Sequence, residues 1–282
     1  MPSSKRSVLI TGCSDGGMGA ALAVAFHKAG FYVYATARNP AKMAQLASSG
    51  IKTLELDIQS DQSIADVVSK IPSLDILVNN AGTQFLMPVV DANIVDAKKL
   101  YDLNVWAHLS MIQAFLPLLL RSPNAMIVNQ TSIGASVAIP FQAIYNSSKA
   151  ALALLSDSLR LELQPFGIKV VDLRTGVVRT NLIKNLQQQA NPTLPKGSIY
   201  EPAREIVEKA LRQEGFEGQG MPAEQWAEAV VRDLQKTNSP PVIWRGESAL
   251  LTRVSTVLPF GLLDGLVKKI AGLDLVEQIV KK

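Results

Sequence analysis

Val8-Leu9-Ile10-Thr11-Gly12-Cys13-Ser14-Asp15-Gly16-Gly17-Met18-Gly19 is the stretch on which the fold turns. Three aliphatic residues make a short buried strand. The glycines that follow let the backbone turn sharply and lie close to a pyrophosphate, and a helical stretch from about Met18 to Ala29 then begins. A helix starting there offers unpaired N–H groups and the positive end of its dipole to phosphate oxygens. Gly12, Ser14, Gly17, Met18 and Gly19 are therefore the expected cradle for a dinucleotide. An ordinary glycine-rich turn has the same composition, but its place directly after an N-terminal strand favours the cradle.

Working outward, strand-like and helix-like segments alternate. Phe31–Thr36 reads as a second strand, Leu54-Glu55-Leu56 as part of a third that ends near Asp57, and Ile76-Leu77-Val78 as a fourth. Met126–Asn129 and Lys169–Leu173 follow, separated by helices from about Ala92 to Leu120 and from about Ala143 to Pro165. Continuous apolar strands joined by helices predict a parallel sheet covered on both faces. The fold class is therefore α/β, a doubly wound Rossmann-type parallel sheet in a single domain over 1–282, with ligands at the carboxyl ends of the strands. After Gly176 the texture changes. Gln187–Gly197 and Glu214–Pro222 are loop-rich around helical stretches near Glu201–Arg212 and Ala223–Lys236. Residues 183–240 are read as a mobile, substrate-covering insertion. Val242-Ile243-Trp244 reads as a final edge strand after Pro240-Pro241, and 247–282 as an apolar C-terminal extension.

The chain has 282 residues, 48% of them hydrophobic, enough for a large core. Its 28 basic and 24 acidic residues form no basic stripe, so no nucleic-acid partner is expected. The one cysteine, Cys13, excludes an intrachain disulfide and fits a reducing compartment. No signal-peptide core and no apolar run long enough to span a bilayer stand out, so a cytoplasmic protein is expected, with no metal site. Residues 250–280 are rich in Leu, Val and Ile, interrupted by Pro259, with Lys268, Lys269, Lys281 and Lys282 nearby. One reading is an interfacial segment that rests on a membrane or lipid surface, such as endoplasmic reticulum or a lipid droplet. The other, preferred because amphipathic helices usually face protein, packs it on the substrate pocket or a sister subunit.

Reactive groups are few. Tyr145 and Lys149 are four apart at the start of a helix and share a face. A free phenol has a pKa of about 10. A neighbouring ammonium favours phenolate, which makes the phenol a better acid at neutral pH. Lys149 can also donate to ribose hydroxyls. Ser132 offers a hydroxyl to a substrate oxygen and would stabilise the charge that develops there. Asn104 could hold a water that passes protons inward. Two other readings stay open. Gly12-Cys13-Ser14-Asp15-Gly16 fits a hydrolase nucleophile elbow, with Ser14 acting on a lipid, but a base must then come from His27 or His108. A non-catalytic dinucleotide-binding scaffold would need none of the four side chains.

Taken together, the glycine loop, Asn79-Asn80-Ala81-Gly82, Asn104, Ser132 thirteen residues before Tyr145, and Tyr145-x-x-x-Lys149 resemble the short-chain dehydrogenase/reductase family over about residues 6–182. The resemblance implies a nicotinamide-dependent oxidoreductase in which Asn104, Ser132, Tyr145 and Lys149 take the roles just given, and a homodimer or homotetramer. It puts Asn80 and Asp57 on the cofactor, Asp57 beside the adenine, although Asp57 also fits a helix N-cap near Ser60. Val178 and Thr180, after strand six, match positions at the nicotinamide carboxamide; this chain has Thr175-Gly176 where the family has Pro-Gly. Strand two ends Ala35-Thr36-Ala37-Arg38, with no acid for a ribose 2′-hydroxyl. Arg38 can fork onto a 2′-phosphate, which points to NADP(H), whereas Asp15 would oppose that phosphate if it faced it. The doubled glycine, Tyr145-Asn146-Ser147-Ser148-Lys149-Ala150-Ala151 and Trp244-Arg245-Gly246 are similar to the fungal branch that includes 1-acyldihydroxyacetone-phosphate reductase. Fungal biosynthetic ketoreductases share this style. The expected substrate is a lipophilic carbonyl compound, reduced to an alcohol.

Overall fold

The computed structural model describes residues 5–181, 192–216 and 218–281. Its centre is a seven-stranded parallel sheet in the order β3-β2-β1-β4-β5-β6-β9. The strands are β1 Ser7–Thr11, β2 Tyr32–Ala37, β3 Lys52–Glu55, β4 Ile76–Asn79, β5 Met126–Gln130, β6 Lys169–Thr175 and β9 Val242–Arg245. The chain winds outward from β1 to β3, then returns across β1 to β4 and winds the other way. Ile10 of β1 consequently pairs with Ala35 on one side and Val78 on the other. The carboxyl ends of β1 and β4 lie side by side at this reversal, where a doubly wound sheet opens a crevice.

Both faces are covered, as the unbroken apolar strands require. On one face, α1 (Met18–Lys28) buries Leu22 and Phe26 beside Val8 and Ile10. On the other, α3 (Asp61–Lys70) and α5 (Ala107–Leu119) bury Ile64, Val67, Met111 and Phe115 against Leu9, Leu77 and Ile127. Local caps set the helix starts. Ser60 accepts from the Ser63 amide at the head of α3, and Asn93 accepts from Val95 and Asp96 at the head of α4 (Ile94–Tyr101).

Three sequence expectations change. The helix expected over 92–120 is divided: α4 passes into a π-helical turn at Asp102–Trp106 before α5. Single π turns of this kind recur at functional positions, and this one carries Asn104. Second, the stretch 183–240, read as one insertion, divides between two packing clusters. Ala223–Leu234, here α8, lies in the core against α1, with Trp226, Ala227 and Val230 fully buried. Its strong apolar stripe is what buries it. Residues 192–211 instead join a separate cluster with Phe141, in which α7 (Arg204–Leu211) places Val207 and Leu211. The part of the cover at 183–191 lies outside the described residues. Third, a two-stranded sheet of β7 (Val178–Arg179) and β8 (Met221–Pro222) was not foreseen, because two-residue strands carry no periodicity.

Beyond β9, the chain forms α9 (Ala249–Ser255), α10 (Asp264–Ile270) and α11 (Leu273–Val280). α9 packs on β9 and on the short turn Ile133–Ala135, and α11 sends Val276 into the Phe141 cluster. Among the described residues, no helix is long and apolar enough to cross a membrane.

Candidate active site

The glycine loop lines the crevice between the carboxyl ends of β1 and β4. Gly12 and Gly16 have φ of +74° and +76°, which side chains other than glycine rarely adopt. Gly19 lies so close to the preceding strand that a Cβ would stand 2.5 Å from the Gly12 carbonyl oxygen. α1 begins after Gly17 with no side-chain cap and no acid in its first turn, so its first N–H groups face the crevice unmasked. Across it, Thr11 and Asn80 tie β1 to β4. The Thr11 hydroxyl accepts from the amides of Asn80 and Ala81, both at 2.9 Å, and the Asn80 side chain donates to the Thr11 carbonyl at 2.8 Å. Asn80 Oδ1 is buried with no hydrogen-bond partner among the described residues. Ser14 hydrogen-bonds neither histidine: His27 is exposed near the far end of α1, and His108 is wholly buried.

At the end of β2, Arg38 is exposed and forms no ion pair among the described residues. Asp15 lies against the segment that follows Arg38: its amide donates to the Lys42 carbonyl at 2.7 Å and its carboxylate accepts from the Gln45 amide, in α2 (Ala44–Ser48), at 3.4 Å. Asp57 holds the Gln59 amide at 3.0 Å, while Ser60 caps the helix, so Asp57 is not the cap. Val178 is fixed by pairing with Met221, and Thr180 follows it at the rim. The segment before them takes its course from Gly176. A Cβ there would stand 2.0 Å from the Glu247 carbonyl oxygen, and Val177 exchanges backbone bonds with Glu247. That pairing sets the backbone in place of the absent proline.

β5 and α6 (Ala143–Leu163) bring the reactive side chains together. Ser132, just past β5, caps the turn at 133–135 and accepts from the Gly134 amide at 3.0 Å. Tyr145 is half-buried near the head of α6, with Ser132 beside it. Burial raises its phenol above the usual value and the Ser132 hydroxyl pulls it back. Lys149 is buried and donates to the Gln130 carbonyl at 2.9 Å; its Nζ lies 6.0 Å from the Tyr145 ring centre. Burial lowers its pKa to about 8, and the charge of Asp172 opposes that fall. The expectation that the ammonium would draw the phenol down is thus outweighed in this chain by burial of the phenol. Asn104 is wholly buried. It accepts from the Thr83 amide at 3.0 Å and donates to the Thr83 carbonyl at 2.9 Å and to Ser148 at 3.2 Å. Its amide thus spans the π turn, the loop after β4, and α6.

Two further groups adjoin the site: His108, weighed in the sequence only as a hydrolase base, and Asp172, which sequence reasoning missed. His108 Nε2 lies 2.7 Å from the Ala81 carbonyl, and burial with the nearby Lys149 charge lowers its pKa to about 3. Asp172, inside β6, binds Thr131 and Arg174, and Arg174 stacks 5.0 Å from the Trp244 ring. A carboxylate within an apolar strand was the available signal.

Residues 6–191 match the family model for short chain dehydrogenases. A short-chain dehydrogenase/reductase from Pestalotiopsis microspora is 54% identical over 281 residues, spanning 100% of this chain and 99% of that one. An NADPH-dependent 1-acyldihydroxyacetone phosphate reductase from Schizosaccharomyces pombe is 37% identical, covering 91% of this chain and 90% of its own. Among solved structures, a short chain dehydrogenase from Burkholderia cenocepacia in complex with NADP superposes with a TM-score of 0.73. It is 24% identical and covers 95% of this chain and 99% of its own.

Proposed function

Because this chain belongs to the short-chain dehydrogenase/reductase family of oxidoreductases, we propose that it reduces the carbonyl of a lipophilic small molecule to an alcohol with NADPH. The observation that carries the reading is the meeting of Ser132, Tyr145 and Lys149 beside the glycine crevice. The crevice suits a dinucleotide: an uncapped helix start, tight glycines and an unpartnered Asn80 oxygen. Gly12, Ser14, Gly17, Met18 and Gly19 would face the phosphates, Arg38 the 2′-phosphate, Asp57 the adenine, and Asn80, Val178 and Thr180 the nicotinamide half. When bound, NADPH supplies the hydride.

The chain does the rest. Ser132 donates to the substrate oxygen as negative charge gathers there. Tyr145 delivers its proton to that oxygen; a phenol kept protonated by burial is ready to donate at neutral pH. Lys149 brings positive charge to the phenolate that forms and to the ribose hydroxyls. Asn104 holds Thr83 and Ser148 in register around Tyr145, and a water entering beside it would return the proton from solvent. The NADPH-dependent relative supports the cofactor choice and the acyl substrate class. Apolar Ile94, Trp106 and Leu154, exposed on α4, the π turn and α6, support a homodimer or homotetramer.

The test is NADPH oxidation with a 1-acyldihydroxyacetone phosphate in detergent, wild type against Tyr145→Phe. Turnover lost in the variant, with NADPH binding kept, is the expected result. No turnover by the wild type would exclude that substrate and move the choice to a biosynthetic ketone. Equal turnover by both proteins would refute the assignment of Tyr145.

A further inference from the structure

We propose that residues 250–270 form a docking surface for an anionic lipid membrane, held at the rim of the catalytic crevice. Leu250, Leu251, Val254, Val257, Leu262, Leu266 and Ile270 are 50–82% exposed. Phe260, at the tip of the turn between α9 and α10, has no cover at all, with 107% relative exposure. Single exposed apolar residues are ordinary, but such a concentration in one short segment marks an interaction surface.

Charge and shape choose the occupant. Within 250–270 the exposed ionic groups are Arg253, Lys268 and Lys269 against Asp264, an excess of cations around the apolar tip, with Glu277 of α11 facing Lys268. Basic residues around inserted Leu, Val and Phe side chains match a leaflet of anionic headgroups over hydrocarbon. A second copy of this chain would bring the same cations face to face across a twofold contact, and would have to receive a protruding Phe260.

The surface is anchored where it can serve catalysis. α9 packs on the turn at 133–135, directly after Ser132, and α11 places Val276 beside Phe141, four residues before Tyr145. The apolar segment is therefore held by α9 before it and by α11 after it, each packed close to an element that carries reactive groups. A membrane bound there sits beside the entrance through which a lipophilic carbonyl compound would arrive. That last step rests on the proposed function; membrane binding itself does not.

The experiment is flotation of the full chain with vesicles of phosphatidylcholine, alone and mixed with phosphatidylserine. The wild type should float with both and more with the mixture. Val257→Asp/Phe260→Asp, altering only exposed side chains, should reduce partition at least roughly tenfold. Lys268→Glu/Lys269→Glu should remove the serine-lipid increment, about fivefold per lysine. Tyr145→Phe should float like the wild type, which separates this inference from the reductase chemistry. Absence of flotation overturns the proposal. So does a fall in oligomer size on sedimentation of Val257→Asp/Phe260→Asp without any change in flotation, which would give the surface to a sister subunit.

Discussion

Acid should unlock this fold through His108, and replacing that one side chain should blunt the effect. The imidazole is wholly buried, its Nε2 is engaged with the Ala81 carbonyl, and its Nδ1 has no partner among the described residues. Burial, with the nearby Lys149 ammonium, lowers its pKa from 6.5 to about 3. The folded pKa is below the unfolded one, so the unfolded chain takes up a proton first as pH falls. Stability from His108 is fully present above pH 6.5, declines below it, and is gone near pH 3. At about 1.4 kcal/mol per decade of proton concentration, the full loss is about 5 kcal/mol, and roughly 3 kcal/mol is lost by pH about 4.5. His108→Gln keeps a donor for Ala81 and cannot titrate. Urea unfolding of both proteins at neutral and acidic pH measures the difference, in which carboxylates common to both cancel. The variant should be less stable at neutral pH, or equal, yet lose roughly 3 kcal/mol less on acidification. Parallel losses in the two proteins would refute the reasoning.

Further outcomes follow from other contacts. Arg38→Ala should weaken NADPH binding by roughly 10–100-fold, the worth of charge-assisted hydrogen bonds, and leave NADH nearly unchanged; titration of both cofactors checks it. Gly19→Ala must place a methyl 2.5 Å from the Gly12 carbonyl oxygen, and should lower stability by about 1–3 kcal/mol in thermal unfolding. Lys149, whose pKa falls from 10.5 to about 8, titrates with the same sign in another window. The unfolded chain holds the extra proton between those values, so stability of the cofactor-free protein should rise as pH climbs through 8, and Lys149→Met should abolish that rise.

The sheet was legible because its strands are buried on both faces and read as unbroken apolar runs, as in Val8–Ile10 and Ile76–Val78. The reactive set was legible through spacing: Tyr145 and Lys149 share a helix face whatever surrounds them. Contacts across the chain were not. Nothing local announces that Asn104 sits in a π turn and spends its amide on Thr83, or that Trp226 belongs to the core rather than to a cover. The balance at Tyr145 was also hidden, since an ammonium four residues away is visible in sequence and burial is not.

The pairing of α1 with α8 has a consequence for how the protein is made. Leu22 and Phe26 emerge from the ribosome early, but Trp226 and Val230, which close over them, come roughly 200 residues later, about 10–40 s at ordinary elongation rates. Until then the first βα unit carries a bare apolar flank, and β6 lacks its outer neighbour β9. A nascent chain in that condition is a client for chaperones, and truncation before Leu234 should yield aggregates rather than a smaller folded domain.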